Sequence, residues 1–277
     1  MNTCPLVSVI TPCLNAERTI SDTLRSVAKA AELLGDSGWT LEHLIVDGGS
    51  RDETHKVVVN HSEENRLNVS YGCNWCAAPN EGIYESMNIG LAQAKGYFSH
   101  VLNADDFLHD PSAYVTTLRK AYQHGARILL SSIVYFTRPG PKWKYQWHLP
   151  PIPHDEEIWR YQLLAGLHYP HPGFIADTEL YRSEGFDERY AISADYKLMQ
   201  SLLLKQGIHK HVYGCDMPFA AMATGGTSGT WRGMIKGHSE LRAINDELGI
   251  RASITKRYWS KLNMRIRRLS KESLFTD

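Results

Sequence analysis

Short apolar runs recur through the first 110 residues, and stretches with helical spacing separate them. Leu6–Pro12, Leu41–Asp47, Asn68–Tyr71 and Phe98–Asn103 have the composition typical of short strands. Helices are predicted between them: one near 20–35 with an apolar face, one opening at Asp52, and one over Ile83–Lys95. Such alternation predicts an α/β fold with a mostly parallel sheet flanked by helices.

Polar side chains follow these strands at the point where each one ends. Asn15 comes after the first strand, Asp47 ends the second, and Asn103 to Asp106 follow the fourth. Ligands of open parallel sheets bind at the carboxyl ends of the strands. The adjacent carboxylates Asp105 and Asp106 suit a hard divalent cation, and such a cation holds a diphosphate. Sugar-nucleotide chemistry is therefore the first hypothesis.

The second half of the chain is less regular. Its predicted elements are a strand at Ile128–Phe136, a loop at Pro139–Pro153, a helix at Glu156–Leu164, a strand at Phe174–Ala176 and a helix at Ala194–Gln206. The last ~45 residues predict a C-terminal helical extension of two helices, Gly233–Leu248 and Ser253–Leu269.

Composition excludes several classes of protein. The formal net charge is +0, so bulk charge does not indicate a nucleic-acid partner. No run approaches the ~20 apolar residues of a membrane span, and no signal peptide is expected. The 5 cysteines are expected to be free thiols in a reducing cytoplasm. Cys73 and Cys76 form a CxxC without a second ligand pair, which favours packing over a metal or redox site.

The C-terminal tail is basic. Eight lysines or arginines and no acidic residue lie between Leu248 and Lys271. Tyr258, Leu262 and Ile266 follow helical spacing, as in an amphipathic helix that lies on a membrane surface. A solvated helix that packs on the protein or on another subunit explains the pattern equally well.

Five segments in order resemble the family-2 glycosyltransferases of GT-A (Rossmann-like) fold, and most closely the bacterial polysaccharide transferases of the colanic-acid type. The segments are Val7–Pro12, Val46–Thr54, Glu81–Asn88, Leu102–Asp106 and Ile192–Tyr196. The resemblance implies an inverting, metal-dependent transfer of a sugar from a nucleotide-diphosphate sugar, expected to be a UDP-sugar. It implies a saccharide or lipid-linked acceptor in bacterial surface polysaccharide synthesis, and Mn²⁺ or Mg²⁺ as cofactor.

The resemblance also implies roles for single residues. Asp195 would be the catalytic base, Asp105 and Asp106 the metal ligands, and Tyr84, Asn88 and His171 the sugar or acceptor contacts. The nucleotide would be held by Pro12, Leu14, Asn15, Glu17, Asp47, Glu81, Asn103, Ala104 and Asp105. Gly48 and Asn103 stand where the family more often has aspartates, which leaves the base preference open.

The same resemblance divides the chain into a nucleotide-sugar-binding half at 1–110, an acceptor-binding half of the same domain at 111–230, and a basic helical tail at 231–277. The expected location is the cytoplasm, with the tail as a contact to the inner face of the plasma membrane.

Simpler interpretations of the acidic residues stand beside these. Asp47 could cap its own turn, Asp105 and Asp106 could cap the turn before Pro111, and Asp195 could stabilise a helix N-terminus. The aromatic residues between Trp143 and His171 suit either an acceptor site or core packing. Gly225–Ser228 could close over the donor or be an ordinary hinge.

Other functions were weighed against the transferase. A nucleotidyltransferase would need a glycine-rich basic loop after the first strand, and Pro12–Asn15 is not such a loop. A dinucleotide-binding oxidoreductase would need a GxGxxG motif, which the chain lacks. A processive synthase would need membrane spans and a QxxRW signature. A non-catalytic glycosyltransferase-like binding or scaffold subunit remains the alternative, for which Gly48 and Asn103 are the only indications.

Overall fold

The computed structural model describes residues 5–79, 82–138, 141–225 and 231–252 of the chain. The strands are β1 Val7–Cys13, β2 Leu41–Asp47, β3 Tyr71–Ala77, β4 Phe98–Val101, β5 Phe107–Leu108, β6 Ile128–Thr137, β7 Lys142–Trp147, β8 Phe174–Asp177 and β9 Val212–Ala223. The helices are α1 Ile20–Gly35, α2 Thr54–Glu64, α3 Ile83–Gln93, α4 Pro111–Gln123, α5 Glu156–Leu164, α6 Thr178–Glu184, α7 Ala194–Leu203 and α8 Trp231–Leu248.

The strands form one sheet in the order β3-β2-β1-β4-β8-β6-β9-β5, and β7 pairs with β6. The four strands from β3 to β4 are parallel to one another. Beyond β4 the sheet is mixed, because β8 runs antiparallel to both β4 and β6, while β9 runs parallel to β6. The predicted α/β class is confirmed, and the parallel part is the half that carries the first motifs.

Two apolar cores cover the two faces of the sheet. Alternate side chains of β1 point to opposite faces, so Ile10 packs with α3 and α7 while Val9 packs with α1 and α4. Every residue of β1 and β2 is buried, as expected for parallel strands with helices on both sides. The predicted apolar face of α1 is confirmed, since its buried residues include Ile20, Leu24, Val27 and Ala31.

Several loops lie at the same edge of the sheet, because the strands that precede them run in the same direction. Because β8 is antiparallel to both β4 and β6, the strands β4 and β6 run the same way. β9 runs parallel to β6 and therefore shares this direction. The carboxyl ends of β1, β2, β4, β6 and β9 consequently lie along one edge of the sheet.

Several predicted boundaries are wrong. Asn68–Tyr71 was expected to be a strand, but Tyr71 N donates to Asn68 O in a turn, and β3 begins only at Tyr71. Pro139–Pro153 was expected to be a loop, but it contains β7, which forms an antiparallel ladder with β6. The strand β9 and the helices α4 and α6 were not predicted at all.

The CxxC lies inside β3. Cys73 and Cys76 are three residues apart on a strand, so their Cα atoms are about 10 Å apart and their side chains point to opposite faces of the sheet. This separation excludes a disulfide or a shared metal ion between them, in agreement with the packing interpretation.

The C-terminal prediction is tested only in part. α8 agrees with the first of the two helices that were expected. The second helix and its basic residues from Ser253 onward lie outside the described residues. No helix in the described part of the chain combines the length and apolar character needed to cross a membrane.

Candidate active site

The loops after β1 and β2, residues 13–17 and 47–54, are tied together by reciprocal hydrogen bonds; we call them the laced loops. The contacts are Asn15 N to Ser50 Oγ at 2.8 Å, Ala16 N to Thr54 Oγ1 at 2.8 Å, Glu17 N to Asp52 Oδ2 at 3.1 Å, Arg51 N to Asn15 Oδ1 at 2.9 Å, and Glu53 N to Glu17 Oε2 at 3.0 Å. Asn15 has φ 50°, in the left-handed region that asparagine tolerates better than most residues.

The residues expected to bind the nucleotide differ in their access to solvent. Pro12 is buried inside β1, where it pairs with Val46. Leu14 is 58% exposed, and it places an apolar side chain at the carboxyl edge. The side chains of Asn15 and Glu17 accept hydrogen bonds from the other laced loop. A direct contact of these residues with a nucleotide remains a prediction.

Asp47 caps the turn that follows β2. Its Oδ2 accepts from Ser50 N at 2.9 Å and from Gly49 N at 3.2 Å, while Oδ1 accepts from the Ser50 hydroxyl. The Cys13 thiol donates to Oδ1 at 3.6 Å, and burial followed by the Asp47 charge raises the pKa of that thiol. The contacts are those of the turn-cap interpretation, and a role in base binding stays a prediction.

Residues 103–106 after β4, which we call the carboxylate turn, contain buried polar atoms that lack hydrogen-bond partners among the described residues. Asp106 is 2% exposed; its Oδ1 accepts from Ala223 N at 2.8 Å. Asp106 Oδ2 and Asn103 Oδ1 are buried and have no hydrogen-bond partner among the described residues. Burial raises the pKa of Asp105, and burial together with the neighbouring Asp105 charge raises the pKa of Asp106 strongly. Ala104 is buried in a small apolar cluster with Cys13 and Ile20.

Arg138 is a cation near this turn that sequence reasoning missed. Its guanidinium donates to Asp22 Oδ2 at 2.8 Å and to the carbonyl oxygen of Asp105 at 3.1 Å. Its positive charge opposes part of the pKa increase of Asp105 and Asp106. Its position two residues after the predicted strand Ile128–Phe136 places it near the end of that strand, but nothing in the sequence places it beside Asp105.

The carboxylate turn fits a hard divalent cation. Carboxylate and amide oxygens are the donors that Mg²⁺ and Mn²⁺ prefer, and two such oxygens are buried here without partners. Within the described ranges, no group of 3 or more His, Cys, Asp or Glu side chains is arranged around one metal position. A cation at this turn would have at most the oxygens of residues 103–106 as described protein ligands.

Asp195 lies in the first turn of α7 and contacts α3. Its Oδ1 accepts from the Tyr84 hydroxyl at 3.2 Å and from Tyr196 N at 2.8 Å. Tyr84 is buried, and burial followed by the Asp195 charge raises its pKa well above the usual value. The structure thus joins two sequence motifs that are 111 residues apart.

Aromatic side chains surround this contact. Phe186 stacks on Tyr84 at 5.6 Å and meets His171 edge-on at 6.1 Å between ring centroids. Burial lowers the pKa of His171, and the Asp195 charge raises it in part. His171 Nε2 and the Tyr181 hydroxyl are buried without a hydrogen-bond partner among the described residues.

Asn88 holds Phe186 in place. Its Oδ1 accepts from Phe186 N at 2.8 Å, and its Nδ2 donates to Phe186 O and to Glu188 Oε1, both at 2.9 Å. These bonds occupy the side-chain amide, so a sugar contact of Asn88 remains a prediction that would need some of them to change. Glu81 lies outside the described residues.

The aromatic residues between Trp143 and His171 differ in burial. Trp159 is buried and donates to the Tyr169 hydroxyl at 2.9 Å, which is core packing. Trp143 is 51% exposed on β7, where it contacts His109 with ring centroids 4.6 Å apart. Gly226–Ser228 of the expected flexible loop lies outside the described residues.

Comparison with known proteins agrees with the resemblance. A family model described as glycosyl transferase family 2 matches residues 8–189, more than half of the chain. Residues 103–106 lie inside this match, whereas Asp195 lies beyond it.

Curated relatives match a shorter part. The chain is 32% identical over 111 residues to the uncharacterized glycosyltransferase Rv1514c of Mycobacterium tuberculosis, covering 40% of this chain and 38% of that protein. It is 35% identical over 103 residues to the putative teichuronic acid biosynthesis glycosyltransferase TuaG of Bacillus subtilis, covering 37% and 36%. The match therefore spans less than two fifths of the length of each of these relatives.

Solved structures share the fold over most of the chain. TarS of S. aureus superposes with a TM-score of 0.58 and 19% identity, covering 86% of this chain and 38% of that one. The mannosyltransferase PcManGT of Pyrobaculum calidifontis, solved with GDP-Man and Mn²⁺, gives a TM-score of 0.54 at 14% identity, covering 87% and 63%. TarS 1-349 in complex with UDP gives 0.55 at 18% identity, covering 88% and 69%. The expected GT-A fold is confirmed.

Proposed function

The chain belongs to glycosyl transferase family 2, and on that premise we propose that it transfers a sugar from a nucleotide-diphosphate sugar, a UDP-sugar, to a saccharide or lipid-linked acceptor. The transfer inverts the anomeric configuration and depends on Mn²⁺ or Mg²⁺. The product belongs to the synthesis of a bacterial surface polysaccharide.

The observation that carries this proposal is the carboxylate turn. Two adjacent carboxyls with raised pKa values and two unpartnered buried oxygens lie where β4 ends, at the edge shared with the laced loops. Buried acidic groups that lack hydrogen-bond partners are typical of a site that a ligand completes. A structural neighbour solved with GDP-Man and Mn²⁺, another solved with UDP, and the printed name of TuaG support a nucleotide-sugar donor, a cation and a polysaccharide product.

Asp105 and Asp106 would hold the cation against the donor diphosphate. When bound, the cation offsets the negative charge that develops on the departing nucleoside diphosphate. The laced loops, with Leu14, Asn15, Glu17 and Asp47, would contact the base and ribose, and Glu81 would lie nearby.

Asp195 would act as the general base. Both of its described donors, Tyr84 and the Tyr196 amide, bind Oδ1, so we assign Oδ2 to the acceptor hydroxyl. As the acceptor oxygen bonds to the anomeric carbon, its proton passes to Asp195 and the bond to the diphosphate oxygen breaks on the opposite face. Tyr84, Asn88 and His171 would lie near the sugar or acceptor.

A lipid-linked acceptor would require the enzyme to work at a membrane surface. The basic residues between Leu248 and Lys271 carry this part of the proposal, through attraction to anionic lipids on the inner face of the plasma membrane.

The test combines binding with turnover. UDP-, GDP- and dTDP-sugars are compared by thermal shift with and without Mn²⁺, and release of the nucleoside diphosphate is followed with a crude lipid and oligosaccharide acceptor extract. We expect one nucleotide class to stabilise the protein in a metal-dependent manner and to support release.

Two variants assign the base. Asp195→Asn should retain the donor-induced shift and lose release, whereas Asp246→Asn, an exposed carboxylate on α8, should behave as wild type. Near wild-type release by Asp195→Asn would refute the base. Binding without release in every acceptor fraction would favour the non-catalytic alternative.

A further inference from the structure

The backbone just before Asp195 is held by a carboxylate from the C-terminal helix. Glu240 of α8 accepts from Ala191 N through Oε1 at 2.9 Å, and from Ile192 N and Ser193 N through Oε2 at 2.9 and 3.0 Å. Glu240 is 7% exposed, so these bonds are shielded from water. A buried carboxylate that accepts three amide hydrogens fixes the path of the backbone, because charge-assisted hydrogen bonds are short and strong.

Glu240 binds the segment that leads into α7. Ser193 is the N-cap residue of α7, yet its side chain makes no capping hydrogen bond. The amides at the start of a helix need partners from outside the helix. Glu240 satisfies the amides that lead into α7, and Asp195 follows two residues after the last of them.

The same helix holds the chain beyond Asp195. Asn245 Oδ1 accepts from the Tyr196 hydroxyl at 2.9 Å. Glu247 pairs with Lys197 and accepts from the Tyr190 hydroxyl at 2.6 Å. Residues on both sides of Asp195 are therefore anchored to α8.

A glycine lets α8 approach this segment closely. A Cβ placed on Gly237 would lie 3.1 Å from Ile192 Cγ2 and 3.9 Å from Ser193 Oγ. A side chain at this position would displace Ile192 by a few tenths of an ångström, so Gly237 allows α8 to pack closely against the segment before Asp195.

We propose that Glu240 is a positioning residue for Asp195: it fixes the 191–193 backbone so that the Asp195 carboxylate meets the acceptor hydroxyl. This inference rests on the proposed function, because it needs Asp195 to be the base. Glu240 itself lies beyond residue 189, where the family match ends.

The experiment compares four variants in the release assay, with separate determination of kcat, donor KM and Tm. Glu240→Gln keeps the shape but replaces one acceptor oxygen with a donor, so at least one amide loses its partner. We expect kcat to fall roughly 10- to 100-fold with donor KM nearly unchanged, since a small misplacement of a catalytic group has effects of this size. Asp246→Asn is the matched charge control on the same helix, and Asp195→Asn reports the base itself.

Gly237→Ala provides a variant that should not unfold. Alanine favours a helix over glycine, so Tm should hold or rise, while the added methyl displaces Ile192 and lowers kcat several-fold. Hydrogen exchange at the amides of 191–193 should accelerate in Glu240→Gln and stay unchanged in Asp246→Asn.

The outcomes separate the two claims. If Asp195→Asn is inactive while Glu240→Gln and Gly237→Ala keep wild-type kcat, the positioning role is refuted and the proposed function stands. A Glu240→Gln enzyme with lower Tm but normal kcat also refutes it. If Asp195→Asn is as active as wild type, the base assignment fails and the positioning role fails with it.

Discussion

Asp47 and Asp106 are both nearly fully buried aspartates at the carboxyl edge of the parallel strands, Asp47 at the end of β2 and Asp106 in the turn after β4, yet their surroundings differ. The Asp47 carboxylate accepts from two backbone amides and a hydroxyl within its own turn. Asp106 accepts from the Ala223 amide, keeps a buried oxygen without a described partner within hydrogen-bond distance, and has Asp105 beside it; the nearby Asn103 side chain lowers its pKa only in part.

The difference predicts that Asp47 contributes more to the stability of the fold than Asp106 does, and that Asp106 depends more on a bound ligand. A buried carboxylate with a full set of donors stabilises the fold. A buried carboxylate with a like charge beside it and an unused oxygen is unfavourable for the fold alone, and it becomes favourable once a cation is bound. Residue type and location at the carboxyl edge are the same, so the hydrogen-bond donors and the neighbouring charge are what distinguish the two aspartates.

The largest expected effect is on turnover. Asp105→Asn and Asp106→Asn should each lower nucleoside diphosphate release by about 100-fold or more, because the cation loses a charged ligand. Their thermal stability without metal should be unchanged or higher, because like-charge repulsion is removed. Release rates and Tm without Mn²⁺ check this. A large drop in Tm together with retained release would erase the contrast with Asp47.

Asp47→Ala should show the reverse pattern. Removing this acceptor leaves the amides of Gly49 and Ser50 without their partner, and we expect the free energy of unfolding to fall by about 2 kcal/mol. Urea unfolding measures it. Ser50→Ala, which removes one of the donors, should cost roughly half as much. If Asp47→Ala is as stable as wild type but no longer binds nucleotide, Asp47 belongs with the ligand-binding acids.

Metal affinity should depend on pH in one direction. The pKa values of Asp105 and Asp106 are raised, so both carboxyls retain protons at a higher pH than usual, and a cation must displace these protons. The apparent Mn²⁺ affinity should therefore fall as pH is lowered toward the raised pKa values, by about tenfold per pH unit for each proton displaced. Calorimetric titration with Mn²⁺ from pH 8 to pH 5 measures this slope. A flat profile would argue against the carboxylate turn as the metal site.

The smallest effect is expected in the laced loops. Asn15→Ala removes the acceptor for Arg51 N and places alanine at a positive φ, which should lower stability by about 1 kcal/mol. Asn15→Gly loses the same bond without the steric penalty and should lie between alanine and wild type. Chemical denaturation of the three proteins ranks them. Equal stability of Asn15→Ala and wild type would show that the hydrogen bond between the laced loops at Asn15 contributes little to the free energy of unfolding.

Sequence reasoning succeeded where one local pattern decides the structure. The buried strands β1, β2 and β6 have strong apolar patterns, and their predicted positions agree with the structure to within one residue. The strands β7 and β9 were missed because their stability comes from pairing with β6 rather than from their own composition.

The residues of the candidate site also differ in whether the sequence alone identifies them. Asp105 and Asp195 could be singled out because they lie in recognisable motifs. Arg138 and Glu240 could not, since each reaches its position through the tertiary fold, from the end of β6 and from α8. Whether Asp47 caps a turn or holds a ligand was also undecidable from sequence, because the answer depends on the donors that surround it.

The reciprocal bonds of the laced loops bear on how this protein can be re-engineered. A chimaera that imports only residues 13–17 or only 47–54 from a relative would leave one partner of each cross-loop bond behind. Grafting both segments together keeps both partners of every cross-loop bond and places three of the four junctions in β1, β2 and α2, with the fourth in the turn before α1. Libraries that vary these loops should therefore exchange the two segments together.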